Sequence, residues 1–253
     1  EYAYNDYCAY EVAMIMGDKS FADKMLERSK SWTKLFNPEQ KDENAEFRGF
    51  IVPRKEDGRF IDIPVRKSYA SWVEYFYEGN SWTYSLFIPH DFERLISLCG
   101  GREEMIRRLE YGFNHELIAL WNEPGFLSPF IFHHCGRPEL SAKYVSMLRQ
   151  KNYSLENGFC DNEDSGAMGS WYVFTGLGLF PNAGQDYYYV LPPAYAEATL
   201  QLANGRQLHI TRDITCYPFT KVKAVYLNGR LQKGFTLRHA DIMKGGELKF
   251  VLE

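Results

Sequence analysis

The chain changes its pattern once, near Pro181, and that change constrains the fold most. Beyond it, short runs alternate in period two: YYYVL (187–191), ATLQL (198–202), QLHIT (207–211), KAVYL (223–227) and LKFVL (248–252). Asn204-Gly205 and Asn228-Gly229 stand between them as two-residue hairpin signals. Before it, apolar residues recur three and four apart, as on a buried helical face. The pattern predicts a helical portion over 1–182 followed by antiparallel β-sandwich strands over 183–253. The helices are joined by loops that carry the polar residues. This arrangement predicts an all-α toroid whose loops converge on one site.

Within the helical portion, residues 1–17 read as a helix stopped by Gly17. A second helix is expected from a Ser20/Asp23 capping pair to about Phe36. Residues 39–46 read as charged and solvated, and Asp57-Gly58 as a hairpin turn. A helix through Trp82 and Leu86 halts near Pro89 and restarts with Asp91 as its cap. Another spans roughly 103–115. The densest segment is NGFCDNEDSGAMGSWYVFTGLGLFP, residues 157–181. It sets Asp161, Asn162, Glu163 and Asp164 just before a helix whose Met168, Trp171, Phe174 and Leu177 share a face. A carboxylate at a helix N-terminus meets unpaired N–H groups and the positive end of the helix dipole. Asp164 or Asp161 there suits a general base or a cation ligand, although a plain helix cap would use the same residues.

The net charge of −4 lacks the basic field that a nucleic-acid partner requires. No apolar run approaches the roughly 18 residues that cross a bilayer, so no membrane span is expected. The 253 residues open inside a helical pattern, without an initiator Met or a signal peptide. They read as a piece of a longer protein or a mature chain lacking its start. Five cysteines (8, 99, 135, 160 and 216) show no metal-ligand spacing and read mostly as small buried hydrophobes. Aromatic residues make up 16%, enough to supply the ring faces on which sugars stack, or a large helical core.

Three polar clusters interrupt aromatic surroundings: Glu78-Gly79-Asn80, Asn122-Glu123-Pro124 and Asn162-Glu163-Asp164. Glu78 follows Tyr75-Phe76-Tyr77 and precedes Trp82, so rings around it favour the protonated acid. Asp164 is biased toward the ionised form. Such a division between two carboxyl groups is what glycosidic hydrolysis needs. Asn122 and Glu123 offer hard oxygens suited to Ca²⁺, or simply a polar loop fixed by Pro124. His90-Asp91 reads as a ligand pair or a helix cap.

Three long motifs in order, YEGNSWTYSLFIPHDFERLISLCGG, WNEPGFLSPFIFHHCGRP and NGFCDNEDSGAMGSWYVFTGLGLFP, resemble glycoside hydrolase family 92, the calcium-dependent exo-α-mannosidases. RSKSWTKLFNP and LNGRLQKGFTLRHADIMKGGELKFVL extend the resemblance over nearly the whole chain. It implies the second half of an (α/α)₆ barrel and the closing strands. It also implies a partner N-terminal β-sandwich domain and a mannose-containing glycan, the terminal linkage expected to be α-1,2. By this resemblance Glu78 is the general acid and Asp164 the general base of an inverting reaction. A Ca²⁺ ion would bind mannose O2 and O3, with Asn122 and Glu123 near it. Trp82, His90, Asp91, Trp121, Asn162 and Glu163 are the expected substrate-binding side chains. Inversion implies carboxyl groups roughly 6.5–9.5 Å apart. Two departures stand out: Asn162 replaces an aspartate found in some members, and Leu120-Trp121 replaces a usual His-Gly before Asn-Glu-Pro. A glycan-binding relative without turnover is the second expectation. An extracellular or periplasmic location follows from glycan substrates of this kind.

Overall fold

The computed structural model describes residues 1–68, 75–214 and 221–253. They form two compact units, Glu1–Ser128 and Pro129–Glu253. Cys216 and the start of the loop before Tyr75 lie outside the described residues.

The first unit holds α1 (Tyr2–Met16), α2 (Lys19–Ser29), β1 (Phe36–Lys41), β2 (Arg48–Ile51), α3 (Ser81–Leu86), α4 (Phe92–Leu98) and α5 (Arg102–Asn114). Gly17 ends α1 in the left-handed region at φ 77°, as the sequence predicts. Helix α2 starts two residues earlier than the Ser20/Asp23 pair suggests. Its cap is Asp18, whose carboxylate accepts from Phe21 N–H. Residues 36–41, partly expected to be solvated, instead form β1 against β2. Asp57-Gly58 closes only a single bridge between Arg54 and Phe60.

One aromatic knot centres this unit. Trp82 is 0% exposed and packs edge-on to Phe47 and Phe50 and parallel to Tyr111. Its indole N–H donates to Asp42 Oδ2 at 2.8 Å. Burial opposes charge on Asp42. Hydrogen bonds from Arg66, the Asn44 N–H and Trp82 outweigh it and hold the carboxyl below its usual range.

The second unit holds α6 (Ile131–His134), α7 (Pro138–Asn152), β3 (Tyr153–Ser154), β4 (Gly158–Phe159), α8 (Ala167–Gly176), β5 (Leu179–Pro181), β6 (Tyr187–Val190), β7 (Glu197–Gln201), β8 (Gln207–Arg212), β9 (Val222–Leu227), β10 (Arg230–Leu231), β11 (Thr236–Arg238), α9 (His239–Ile242) and β12 (Gly246–Leu252). All five expected strands are present. One sheet has the order β10-β9-β12-β8-β7 and a second the order β11-β6-β5. Leu208, Ile210, Val225, Leu248 and Phe250 of the larger sheet share a core with Leu179, Val190 and Leu237 of the smaller. The pairing is antiparallel except between β12 and β8, which run parallel. Alternation along a strand carries no direction, so the sequence could not announce that pair. Strands predominate from β5 onward, although β1 to β4 lie before the expected change of pattern and α9 lies after it. The compact units divide earlier because α6 and the residue before it pack on the strands, Phe130 stacking on Phe180 and Tyr189.

His133 ties α6 to β6. Its Nε2 lies 3.0 Å from the Val190 carbonyl and its Nδ1 2.7 Å from Ser141 Oγ. A carbonyl only accepts, so Nε2 carries the proton and Nδ1 accepts from the serine hydroxyl. Burial pushes the imidazole down from its ordinary 6.5 to about 4. Between those values the unfolded chain binds a proton that the native state refuses, so stability rises with pH across the window. Stability is therefore expected to fall by roughly 2–3 kcal/mol as pH drops from about 6.5 to about 4. Urea unfolding at several pH values checks this against His133→Gln. An equal acid-side loss in the variant would remove His133 as the cause.

Candidate functional site

The loop of Glu78 is shaped by local bonds. Asn80 caps α3, its side-chain oxygen accepting from Thr83 N–H at 2.8 Å. Its Nδ2 donates to the Leu117 carbonyl at 3.3 Å. Glu78 itself sits in the left-handed region at φ 46°, unusual for a residue with a Cβ. Tyr84, one turn into α3, donates its hydroxyl to the Tyr77 carbonyl at 2.6 Å. Phe76 stacks on the Tyr84 ring with centroids 5.2 Å apart. Tyr75 and Tyr77 are half exposed, and Glu78 is partly buried.

The Asn122-Glu123 loop meets it. Asn122 Nδ2 donates to the Glu78 carbonyl at 3.0 Å, and Asn122 Oδ1 accepts from Glu123 N–H at 2.9 Å. Gly125 closes the turn where a Cβ would lie 1.8 Å from the Ala119 carbonyl oxygen, so only glycine fits. Burial raises the Tyr84 hydroxyl well above its usual range, and the Glu1, Glu78 and Glu123 carboxylates raise it further. Glu78 and Glu123 therefore share one electrostatic neighbourhood around Tyr84. Trp121, next to Asn122, is partly exposed. A cleft of about 530 Å³ runs beside the loop, lined in part by Tyr75, Phe76, Tyr77, Tyr84 and Trp32.

The cluster at 162–164 belongs to the second unit. Asp164, Ser165 and Gly166 are consecutive left-handed residues, at φ 41°, 59° and 85°. They turn the chain into α8 and leave Asp164 exposed. The carboxylate that takes the helix N-terminus is Glu163, both of whose oxygens accept from Gly169 N–H at 3.1 Å. The sequence places Asp164 or Asp161 in that role. The three left-handed residues hand it to Glu163 instead. Asn162 is exposed, its N–H bonded to Asp161 Oδ1.

Three expected substrate contacts have other occupations. Trp82 is wholly enclosed in the knot around Asp42 and offers no ring face to a ligand. Asp91 accepts from Trp32 Nε1 at 3.1 Å and makes no side-chain cap to α4. His90 Nε2 pairs with the Ser29 carbonyl at 3.0 Å, while burial lowers its basicity and the ring packs on Tyr4 and Tyr7. These two residues pin the start of α4 to the end of α2 and the turn after it. The sequence marks Asn80 only as a member of a polar cluster and gives Tyr84 no role. An Asn before a helical run signals a cap, but nothing in the sequence announces the Tyr84–Tyr77 bond.

Ca²⁺ takes six to eight oxygen ligands. Among the described residues no group of three or more His, Cys, Asp or Glu could hold a metal ion. Asn122 is engaged with backbone through both ends of its amide, so Glu123 is the one hard carboxylate at this loop. These residues do not by themselves make a calcium site.

The family model described as glycosyl hydrolase family 92 catalytic domain matches residues 1–253. A protein of Arthroderma benhamiae called an uncharacterized secreted glycosidase is 32% identical over 268 residues, covering 100% of this chain and 34% of that protein. A family 92 α-mannosidase of Bacteroides thetaiotaomicron, solved with mannoimidazole, superposes with a TM-score of 0.89 at 25% identity, over 100% of this chain and 35% of its own. An inverting mannosidase of the same family and species superposes at 0.86 with 26% identity, over 100% of this chain and 36% of its own. The chain thus spans about a third of the length of the relatives it matches.

Proposed function

We propose, starting from the fact that the chain belongs to glycosyl hydrolase family 92, that it carries the acid and base of an inverting exo-α-mannosidase. Its substrate is a glycan ending in α-linked mannose, α-1,2 foremost. The observation that carries this reading is the Glu78 loop. A carboxylate on a left-handed backbone beside exposed tyrosines is joined through the Asn122 amide to the loop of Glu123, in a chain similar to solved α-mannosidases.

In this reading Glu78 gives its proton to the glycosidic oxygen as the C1–O bond breaks. Asp164 takes a proton from water as the water oxygen bonds to C1 from the opposite face, and β-mannose leaves. The exposed position of Asp164 at the turn into α8 leaves it open to a water molecule. Trp121 would stack on the sugar, with Asn162 and Glu163 at the rim of the base loop. A bound Ca²⁺ would hold the O2 and O3 hydroxyls. Since Glu123 alone does not form that site, no step here depends on the ion. The helices would form the second half of an (α/α)₆ barrel, with an N-terminal β-sandwich domain completing the pocket. An extracellular or periplasmic location is supported by the relative called a secreted glycosidase.

Mannose release from α-linked mannobiose, followed by NMR in the protein as it occurs, tests this. The first-formed product is expected to be the β-anomer. An α-anomer formed first would exclude inversion. No release with Ca²⁺ present would favour the second reading, a glycan-binding chain without turnover; the share of its relatives that the chain spans is what keeps that reading open.

A further inference from the structure

We infer that Asn122 is a positioning residue for Glu78, acting through the backbone of the Glu78 loop and not through a metal. The inference rests on the reading of Glu78 as proton donor.

Glu78 holds φ at 46°, a conformation that a residue with a Cβ leaves unless something retains it. The direction of the Cα–Cβ bond follows from that backbone, so relaxation to an extended conformation would turn the carboxyl away. The Asn80 cap and the Tyr84 hydroxyl hold the two flanking sides, on Thr83 N–H and the Tyr77 carbonyl. The Glu78 carbonyl is held by Asn122 Nδ2 at 3.0 Å, with the Tyr77 carbonyl at the limit of reach, 3.5 Å. The other end of the same amide accepts from Glu123 N–H and starts the turn that Gly125 closes. One side chain therefore couples the loop of Glu78 to the loop of Glu123. Only an amide does this, since one end must donate and the other accept.

Asn122→Asp separates this role from metal ligation. An aspartate keeps the acceptor for Glu123 N–H and would serve a cation at least as well. It loses the donor and sets a negative oxygen against the Glu78 carbonyl. The expected result in the protein as it occurs is a loss of about 10- to 100-fold in kcat on α-mannobiose, of the size that a small misplacement costs. KM should stay within about twofold. Turnover of dinitrophenyl α-mannoside, whose leaving group needs no proton, should be nearly unchanged. Hydrogen exchange at the amides of residues 78–80 should accelerate, a readout that needs no turnover. Wild-type kcat on mannobiose together with wild-type exchange would overturn the inference. Glu78→Gln serves as the control. If that variant shows no leaving-group dependence, the reading of Glu78 as proton donor fails. The exchange rates still decide whether Asn122 holds the loop.

Discussion

Glu78→Gln is expected to lower kcat on α-mannobiose by roughly 10²–10⁴-fold, the usual contribution of a positioned general acid. Glutamine matches glutamate in size, and the bonds that shape this loop all fall on neighbours or on backbone: Asn80 on Thr83 N–H, Tyr84 on the Tyr77 carbonyl and Asn122 on the Glu78 carbonyl. The left-handed backbone is thus kept, and the thermal midpoint should not move. The loss should shrink toward nothing on dinitrophenyl α-mannoside, because its departing phenolate needs no proton. Equal losses on both substrates would mean that Glu78 binds sugar and does not protonate the leaving oxygen. Comparison of the two kcat ratios therefore assigns the role without a structure of the complex.

Trp82→Ala has the largest expected effect on folding. Removing a fully buried indole costs about 3–5 kcal/mol. The cavity would open among Phe47, Phe50 and Tyr111, the rings that now enclose it. A further cost of about 1 kcal/mol comes from the lost donor to Asp42, a buried carboxylate left with Arg66 and the Asn44 N–H. At roughly 2–4 °C per kcal/mol for a chain of this size, the midpoint should fall by about 10 °C or more. Trp82→Phe should cost less, since it keeps the ring and loses only the indole donor and some volume. A sugar platform would behave otherwise, with a raised KM and an unmoved midpoint. That outcome would return Trp82 to the substrate side.

The contrast between Trp82 and Glu78 shows where the sequence stops being informative. Both lie in one run, YEGNSW, and an aromatic next to a candidate acid suggests stacking. What encloses Trp82 comes from Asp42, Phe47, Phe50 and Tyr111, on β2, α5 and the segment between β1 and β2, so no local pattern reports it. The same holds for Asp91, engaged by Trp32 from 59 residues away. At the 162–164 loop the error is one residue. A helix N-terminus attracts a carboxylate, and the sequence offers several. Which one arrives depends on three successive left-handed residues. Asp and Ser adopt that conformation rarely enough that a sequence reading does not expect it.

What the sequence by itself determined is local or periodic. It placed the Gly17 stop of α1, the α5 helix, the strands after Pro181 with their Asn-Gly turns, and the motif order that marks the family. Each of these rests on backbone preference or on a repeat of hydrophobicity within a few residues. Only the tertiary structure decided that β12 runs parallel to β8, that Trp82 belongs to the core, and that Asn122 is committed to the backbone of the Glu78 loop. These depend on which distant groups meet. A hydrogen bond between residues 44 positions apart is fixed by the packing of the whole unit, and no short window of sequence contains both ends.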